Sequence, residues 1–365
     1  MDIYFLILFI ASSFSIIEVI LSFDKSRKHS MLIVIFWFLV VTLILFAGLR
    51  RVGADFENYE IIYDVLAEDS SWSDWRVITL EPGFKSLMVM LKYTNFQFSL
   101  LVCAFLGVTL KAKFISKYSP YPILSLVIYF SSLFIIKEMG QIRNGIAMGI
   151  VLWSFDALIQ QKKTRFLFLT FLAILFHWSA FCVLPLFFFG DKKIPTSAYV
   201  FSILAIFFMI LFNLTSVISN LISFVPIEAI TSKADSYLSG DSEFAERLGL
   251  NSTFLFLVMI MSIMLLYRHR LNSKFPKFDL ILNVYILGIF YFGFFNAVSE
   301  FALRLNVYFR MLDIIILPLI VSLFGPRKII IAILLCVNSL WTLNKYSQSP
   351  LGKFFFPYKS TINRE

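Results

Sequence analysis

Charge is scarce in this 365-residue chain. Asp, Glu, Lys and Arg together make up 15% of it, where a soluble domain carries about a quarter, so an ordinary soluble globular protein is excluded. Histidine is rarer still, with three residues, and the three cysteines (Cys103, Cys182, Cys336) sit singly inside apolar runs. That spacing supports no disulfide framework and no metal site, and the cysteines read as small core residues. No clustered DxD or His-Glu metal motif stands out. Strict apolar–polar alternation is also missing from stretches such as "MLIVIFWFLVVTLILFAG", which argues against a transmembrane β-barrel. The N-terminus "MDIYFLILFIASSF" lacks a basic leader and a small-residue cleavage site, so it is expected to be a retained first helix. No internal repeat and no separate soluble domain is visible.

What is present is apolar: 59% hydrophobic and 18% aromatic residues, with a mean hydropathy of +0.84. Apolar runs long enough to cross a bilayer recur along the whole length. They cover roughly 3–23, 31–49, 97–115, 119–136, 143–160, 166–189, 198–224, 251–267, 279–298, 303–324 and 328–343. The expected fold is all-α: a polytopic integral membrane protein with about 10–12 transmembrane helices in a single membrane domain over 1–365. The lipid bilayer is then a partner. The net charge of +9 is attributed to cytoplasmic loops, not to nucleic-acid binding.

The basic residues divide the loops into two sets. Lys25, Arg27 and Lys28, then Lys111, Lys113 and Lys117, then Lys162, Lys163 and Arg165, then Arg268, Arg270, Lys274 and Lys277, and finally Arg327 with Lys328 mark cytoplasmic loops. Two acidic segments, about 50–95 and 225–250, read as external, as do the short turn 137–143 and segment 299–304. One conflict arises. Three apolar runs separate the basic loops at 162–165 and 268–277, whereas a return to the same side needs an even number of crossings. The run "FLFLTFLAILFHWSAFCVLPLFFFGDKK", interrupted by His177, offers one resolution: it dips in and returns, or breaks inside the membrane. A miscounted span elsewhere would serve equally well.

This topology leaves several arginines on the external side, against the usual bias. Arg50 and Arg51 follow the second run, Arg143 begins a helix after "KEMGQ", and Arg304 and Arg310 lie in "EFALRLNVYFRMLDIIILP". A helix starting near 301 would put Arg310 about 14 Å along its axis, inside the outer leaflet, with Asp313 three residues on. Charges at that depth are functional candidates by default, and a planar guanidinium suits phosphate oxygens. Bland readings stand beside this one. Arg50 and Arg51 can snorkel from a helix end; Arg310–Asp313 and Glu300–Arg304 can be structural pairs; Arg143 can bridge to Glu138 in the turn. Gly145 and Gly149, spaced GxxxG, read as helix-packing residues.

The motifs, in order, resemble one family. "GLRRVGADFENYEIIYD", "EPGFKSL", "GQIRNGIAMGIVLWSF", "LAILFHWSAFCVLPL", "LRLNVYF" followed by Pro318, and the late "FFPYKS" are similar to the successive motifs of EpsG-type, Wzy-like polysaccharide polymerases. The first arginine departs from the pattern: in the family it more often lies four residues before the glycine, while Arg50 and Arg51 lie three and two before Gly53. The resemblance implies a GT-C-like glycosyltransferase of the bacterial inner membrane that works on the periplasmic face without a metal or other cofactor. Its substrates would be undecaprenyl-diphosphate-linked oligosaccharides, the growing glycan moving from its lipid diphosphate to a new lipid-linked unit. A chain-length regulator protein is a further partner on this reading.

Such chemistry needs stabilisation of a departing diphosphate and a base for the acceptor hydroxyl. Arg143 and Arg310 are the first candidates for the diphosphate, with Arg304, Arg50 and Arg51 behind them. Asp55, Glu81 and His177 are the candidate bases, although Asp55 can instead cap or orient an arginine and His177 can be a structural hydrogen-bonding residue. Tyr59 and Tyr358 are candidates for contact with the substrate, and Trp72 and Trp75 for stacking on sugars or for an interfacial belt. The rival functions are a lipid-linked oligosaccharide flippase or transporter, another lipid-linked glycan transferase or ligase, and a non-catalytic membrane scaffold. A transporter favours internal repeats and charges near the midplane; here no repeat is visible and the notable charges gather toward one face.

Overall fold

A computed structural model of the chain describes residues 2–23, 30–67, 80–214 and 248–361. The basic residues Lys25, Arg27 and Lys28, the acids Glu68, Asp69 and Asp74 with Trp72 and Trp75, and the 225–247 part of the second acidic loop lie outside the described residues. Among those described, the secondary structure is helical, and the only pairing of extended backbone is an isolated antiparallel bridge between Arg50 and Ser360. Among the described residues six helices are long and apolar enough to span a bilayer: Ile3–Leu21, Ser30–Gly48, Phe96–Tyr118, Pro122–Gly140, Ile142–Ile159 and Gly325–Ser347. Ser252–Leu266 and Arg268–Lys274 make a seventh if the pair, bent by 78°, counts as one span. The chain is an all-α polytopic membrane protein.

In chain order the helices are α1 (Ile3–Leu21), α2 (Ser30–Gly48), α3 (Phe56–Ala67), α4 (Pro82–Leu91), α5 (Phe96–Tyr118), α6 (Pro122–Tyr129), α7 (Ile142–Ile159), α8 (Lys163–Phe176), α9 (Leu186–Phe189), α10 (Thr196–Leu211), α11 (Ser252–Leu266), α12 (Arg268–Lys274), α13 (Phe278–Phe294), α14 (Ser299–Arg310), α15 (Asp313–Val321) and α16 (Lys328–Ser347). α6 continues as a π-helix over Phe130–Gly140. The elements fall into two compact units. The first holds residues 1–157, 164–181 and 313–365, and the second holds 158–163 and 182–312.

The first unit is built around α6, its π-helical extension and α7, which are nearly enclosed. α1 and α16 pack on this centre, and α2 lies along α5. The ends of the helices are fixed by polar side chains, because a helix leaves its first N–H groups unpaired. Asp2 caps α1 through Tyr4 N (3.4 Å) and Asn95 caps α5 through Phe98 N (2.7 Å). α6, which begins at Pro122, is capped by another helix: both carboxylate oxygens of the buried Glu18 accept from Ile123 N, at 3.1 and 3.0 Å, and Oε2 also accepts from Leu124 N. Lys328 reaches Ser22 Oγ (2.6 Å) at this same end, and Lys117 pairs with the buried Asp156 there. The residues discussed below lie at the opposite end, where Tyr4 and Arg50 are found; Tyr4 is about 21 Å from Glu18 along α1.

In the second unit α13 packs against α14, α10 and α11. Several expectations change once the elements are in place. The run 166–189 is not one crossing. α8 stops at Phe176, a 3₁₀ turn follows over Trp178–Val183, and α9 is one short turn. Lys163 Nζ lies 3.2 Å from Asp191 Oδ2, so the segment between them begins and ends at one side. Arg268 donates to Ile194 O (2.8 Å) and Thr196 Oγ1 (3.1 Å), which brings the 268–274 loop to the same place. The parity conflict disappears: the chain dips in and returns between 163 and 191. The run 303–324 is likewise broken. α14 ends at Arg310 and α15 opens at Asp313, so the two residues do not share a continuous helix. The expected span 198–224 is helical over Thr196–Leu211, and its part beyond 214 lies outside the described residues. The external turn 137–143 shrinks to Gln141, because Lys137 and Glu138 belong to the π-helix and are buried.

Candidate functional site

The "EPG" motif explains how one carboxylate comes to face Arg143. Pro82 sits at the first position of α4, where its missing N–H costs nothing. Glu81 occupies the cap position before it, yet its side chain makes no capping hydrogen bond. Gly83 lets α4 press on the last turn of α8: a Cβ there would lie 2.8 Å from Leu175 O. Glu81 is thereby aimed at α7, where Arg143 is the second residue. Arg143 Nη1 donates to Glu81 Oε2 at 2.5 Å, its Nε lies 3.5 Å from Tyr59 Oη, and its guanidinium stands 5.9 Å from the Tyr59 ring centre. The Glu81 side chain is 6% exposed and that of Arg143 29% exposed. A cation at a helix N-terminus opposes the macrodipole, and Glu81 offsets that. Arg143 thus keeps a partly exposed side chain at a helix N-terminus, a place suited to an anion. Tyr59, on α3, is buried; burial raises its phenol above the ordinary value, and the neighbouring Arg143 pulls it back down.

A second guanidinium shares Tyr59 as an electrostatic neighbour with this one. Arg50 follows α2 and is 0% exposed, whereas the side chain of Arg51 is exposed. Of the two sequence candidates, Arg50 is therefore the one turned inward. Its Nη1 donates to Ala47 O, while its Nε and Nη2 have no hydrogen-bond partner. Burial lowers it to about 10, with the phenols of Tyr59, Tyr4 and Tyr358 and the thiol of Cys103 acting in the other direction. Gly53 allows this arrangement. Its φ is +144°, and a Cβ would meet Met139 O at 2.4 Å, so only glycine fits.

The C-terminal segment covers Arg50. Arg51 N donates to Lys359 O (2.8 Å), Gly53 N to Phe354 O (2.8 Å) and Thr361 N to Leu49 O (3.1 Å). Tyr358 Oη donates to Phe46 O (2.9 Å), and its ring stacks 4.1 Å from that of Phe46. Tyr4 Oη donates to Phe355 O (2.9 Å). The polar atom of Tyr358 is thus committed to the backbone of α2.

Deeper in the unit is a pair that the sequence reading missed. Lys111 Nζ lies 2.6 Å from Glu138 Oε1, and the two side chains are 0% and 1% exposed. Lys111 also donates to Gly145 O (2.5 Å) and Gly107 O (3.3 Å). Lys111 is therefore no loop marker, although Lys113 and Lys117 are exposed as expected. Glu138 does not bridge to Arg143 in the turn; its partner is Lys111. Gly107 and Gly145 leave the space the carboxylate fills, since a Cβ on either would stand 2.1 or 2.8 Å from Glu138 Oε2. Gly149 is a packing glycine against Leu110, while Gly145 accommodates charge. A lysine and a glutamate inside apolar runs were the available signal.

The other candidates are placed as follows. Asp55 is half-buried just before α3, and its carbonyl accepts from Tyr59 N (3.0 Å). His177 Nδ1 is bonded to Ser179 Oγ (2.6 Å) where α8 ends. Arg304 and Glu300 pair on the surface of α14, with the arginine side chain 45% exposed. Arg310 closes α14 in the second unit, its guanidinium 5.6 Å from the ring centre of Phe256. Among the described residues no group of three or more His, Cys, Asp or Glu comes together to hold a metal.

A curated relative, "Amylovoran biosynthesis protein AmsC" of Erwinia amylovora, is 25% identical over 213 residues, covering 53% of this chain and 55% of its own length. The match thus spans about half of each protein. No solved structure matches. The EpsG family profile matches residues 33–360, which takes in Arg50, Glu81, Arg143, the buried Lys111–Glu138 pair and the C-terminal segment, and the chain belongs to the EpsG family.

Proposed function

We propose that the protein is a polysaccharide polymerase, a glycosyltransferase that moves a growing glycan from undecaprenyl diphosphate to a lipid-linked repeat unit on the periplasmic face of the bacterial inner membrane. Its EpsG membership supports a role in making polysaccharide, and the name of the Erwinia relative agrees. The observation that carries the reaction type is Arg143, half-open at a helix N-terminus, held by Glu81 and flanked across Tyr59 by a second guanidinium.

The reaction breaks the bond between the anomeric carbon of the growing chain and a diphosphate oxygen, and the bonding electrons stay on the diphosphate. The acceptor hydroxyl forms the new glycosidic bond and gives its proton to a base, and undecaprenyl diphosphate leaves. Arg143 stabilises the charge developing on the leaving diphosphate, so the counter-charge comes from fixed guanidinium groups in a poorly solvated site and no metal is required. Glu81, already bonded to Arg143, is a positioning residue that holds the guanidinium in place. Asp55 is the carboxylate of this cluster assigned to the acceptor proton.

Deleting the gene in its host and separating the surface polysaccharide on a gel tests this reading. Loss of a polymerase leaves single-repeat product without the ladder; loss of a flippase or ligase removes the single-repeat band as well. Complementation with Arg143→Ala at normal protein level is expected to give the deletion pattern. Persistent long-chain ladders in the deletion strain would reject the function.

A further inference from the structure

A buried guanidinium with no anion against it is costly. Taking a charge out of water costs several kcal/mol unless it is paired and hydrogen-bonded. Arg50 is fully enclosed, two of its three nitrogens have no partner, and the side chains that act on its charge most are three phenols and a thiol. With burial lowering it only to about 10, it stays cationic at neutral pH. A group kept charged and unmatched in this way points to a ligand that supplies the missing acceptors.

What covers Arg50 is suited to move. Residues 349–361 contain only the 3₁₀ turn Pro350–Phe354, and Leu351 and Phe354 are exposed. The segment is tied down by the bonds from Arg51, Gly53, Thr361, Tyr4 and Tyr358 described above. Those tertiary bonds and the rings of Phe355, Phe356 and Tyr358 hold it, but beyond the 3₁₀ turn it has no helix of its own, and such a segment opens at lower cost than a core helix. Tyr59 lies within electrostatic reach of both Arg50 and Arg143, so uncovering Arg50 would enlarge the site already assigned to a diphosphate.

We propose that Arg50 is a second phosphoryl-binding group, closed beneath a strap formed by residues 349–361, and that the strap is displaced when a lipid diphosphate seats on Arg143. This rests on the polymerase reading for the identity of the ligand. Two unmatched N–H donors side by side fit the oxygens of one phosphoryl group in the bidentate manner of arginine.

The test uses the full chain in phosphatidylcholine nanodiscs, with binding and amide hydrogen exchange followed together. Undecaprenyl diphosphate is the probe; phosphatidylglycerol and inorganic pyrophosphate are the comparison anions. In the wild type, undecaprenyl diphosphate is expected to bind and to speed exchange across residues 350–361. Arg50→Gln is expected to weaken binding about tenfold or more, the usual effect of removing a charged hydrogen bond, and to leave the strap protected. Tyr358→Phe, which removes the strap's bond to Phe46 O, is expected to tighten binding several-fold, because more of the protein is already open. Binding with unchanged strap exchange, or unaffected by Arg50→Gln, overturns the strap and leaves the polymerase reading standing. Weaker binding by Tyr358→Phe also overturns it. An equal response to phosphatidylglycerol or pyrophosphate overturns the lipid-diphosphate assignment, and no binding of undecaprenyl diphosphate at all overturns both readings.

Discussion

At the scale of single residues, the two guanidinium groups beside Tyr59 differ in how their charge is held, and that difference sets what each substitution does. Arg143 is matched by Glu81. Glu81→Gln keeps a hydrogen-bond acceptor for the guanidinium and loses the charge, so a partial loss of polymer is expected, with much of the ladder retained. Asp55→Asn preserves any capping of α3, since Asn caps as well as Asp, but it cannot take a proton; the ladder should be abolished at normal protein level if Asp55 is the base. A normal ladder from Asp55→Asn would reduce Asp55 to capping. Arg50 is unmatched, and its depressed proton affinity fixes the sign of its effect on stability. The folded state holds the Arg50 proton less tightly than the unfolded chain does. The penalty is therefore fully present below pH 10 and fades as pH rises above that. Replacing Arg50 by Gln removes the penalty at neutral pH, worth up to about 3 kcal/mol, and should raise the unfolding temperature while activity falls. A lower unfolding temperature would mean the charge is stabilising.

At the scale of elements, the Lys111–Glu138 pair braces α5, the π-helical turn and the first turn of α7, two residues beyond Arg143. Removing one partner leaves a buried charge and typically costs about 3–5 kcal/mol, while removing both together costs far less. Lys111→Met and Glu138→Leu should each sharply lower the amount of folded protein, and the double variant should recover much of it; an additive loss in the double variant would mean that the two charges are not coupled. Gly107→Ala should resemble the single variants, since the added Cβ falls at the Glu138 carboxylate. The π-helical stretch is part of this arrangement. Its wider turn ends at Gly140, and Gln141 N bonds back five residues to Ile136 O, so α7 starts where Arg143 meets Glu81. Nothing in the local sequence "SSLFIIKEMG" separates a π-helix from an α-helix, because both bury the same apolar residues.

At the scale of the whole molecule, membrane crossings are decided by which loops meet. Lys163 with Asp191, and Arg268 with Ile194 and Thr196, put the ends of the 164–190 segment on one side. Single cysteines at Lys162, Lys192 and Arg270 should therefore all react with a membrane-impermeant thiol reagent from the same side of the membrane. Reaction of the Lys162 and Lys192 positions from opposite sides would restore a full crossing. Besides the six or seven long apolar helices among the described residues there are shorter apolar ones, and some runs continuous in hydropathy are broken for a physical reason. Hydropathy measures the cost of leaving water. It does not register a helix end at His177, or the break between Arg310 and Asp313, where neighbouring protein takes the place of lipid.

Composition by itself determined the class of this protein: with so little charge and so many long apolar runs, only helices whose backbone bonds are internal can cross the bilayer. The order of motifs determined the family, and the isolated arginines supplied the candidate site residues. Whether Arg50 or Arg51 turns inward, which carboxylate holds Arg143, that Lys111 is buried with Glu138, and that the chain returns at Asp191 were decided only by tertiary structure. Each depends on residues from distant segments coming within about 3 Å, the reach of a hydrogen bond. A one-residue turn of a helix, about 100° at 3.6 residues per turn, changes which side chain arrives, and no local pattern records it.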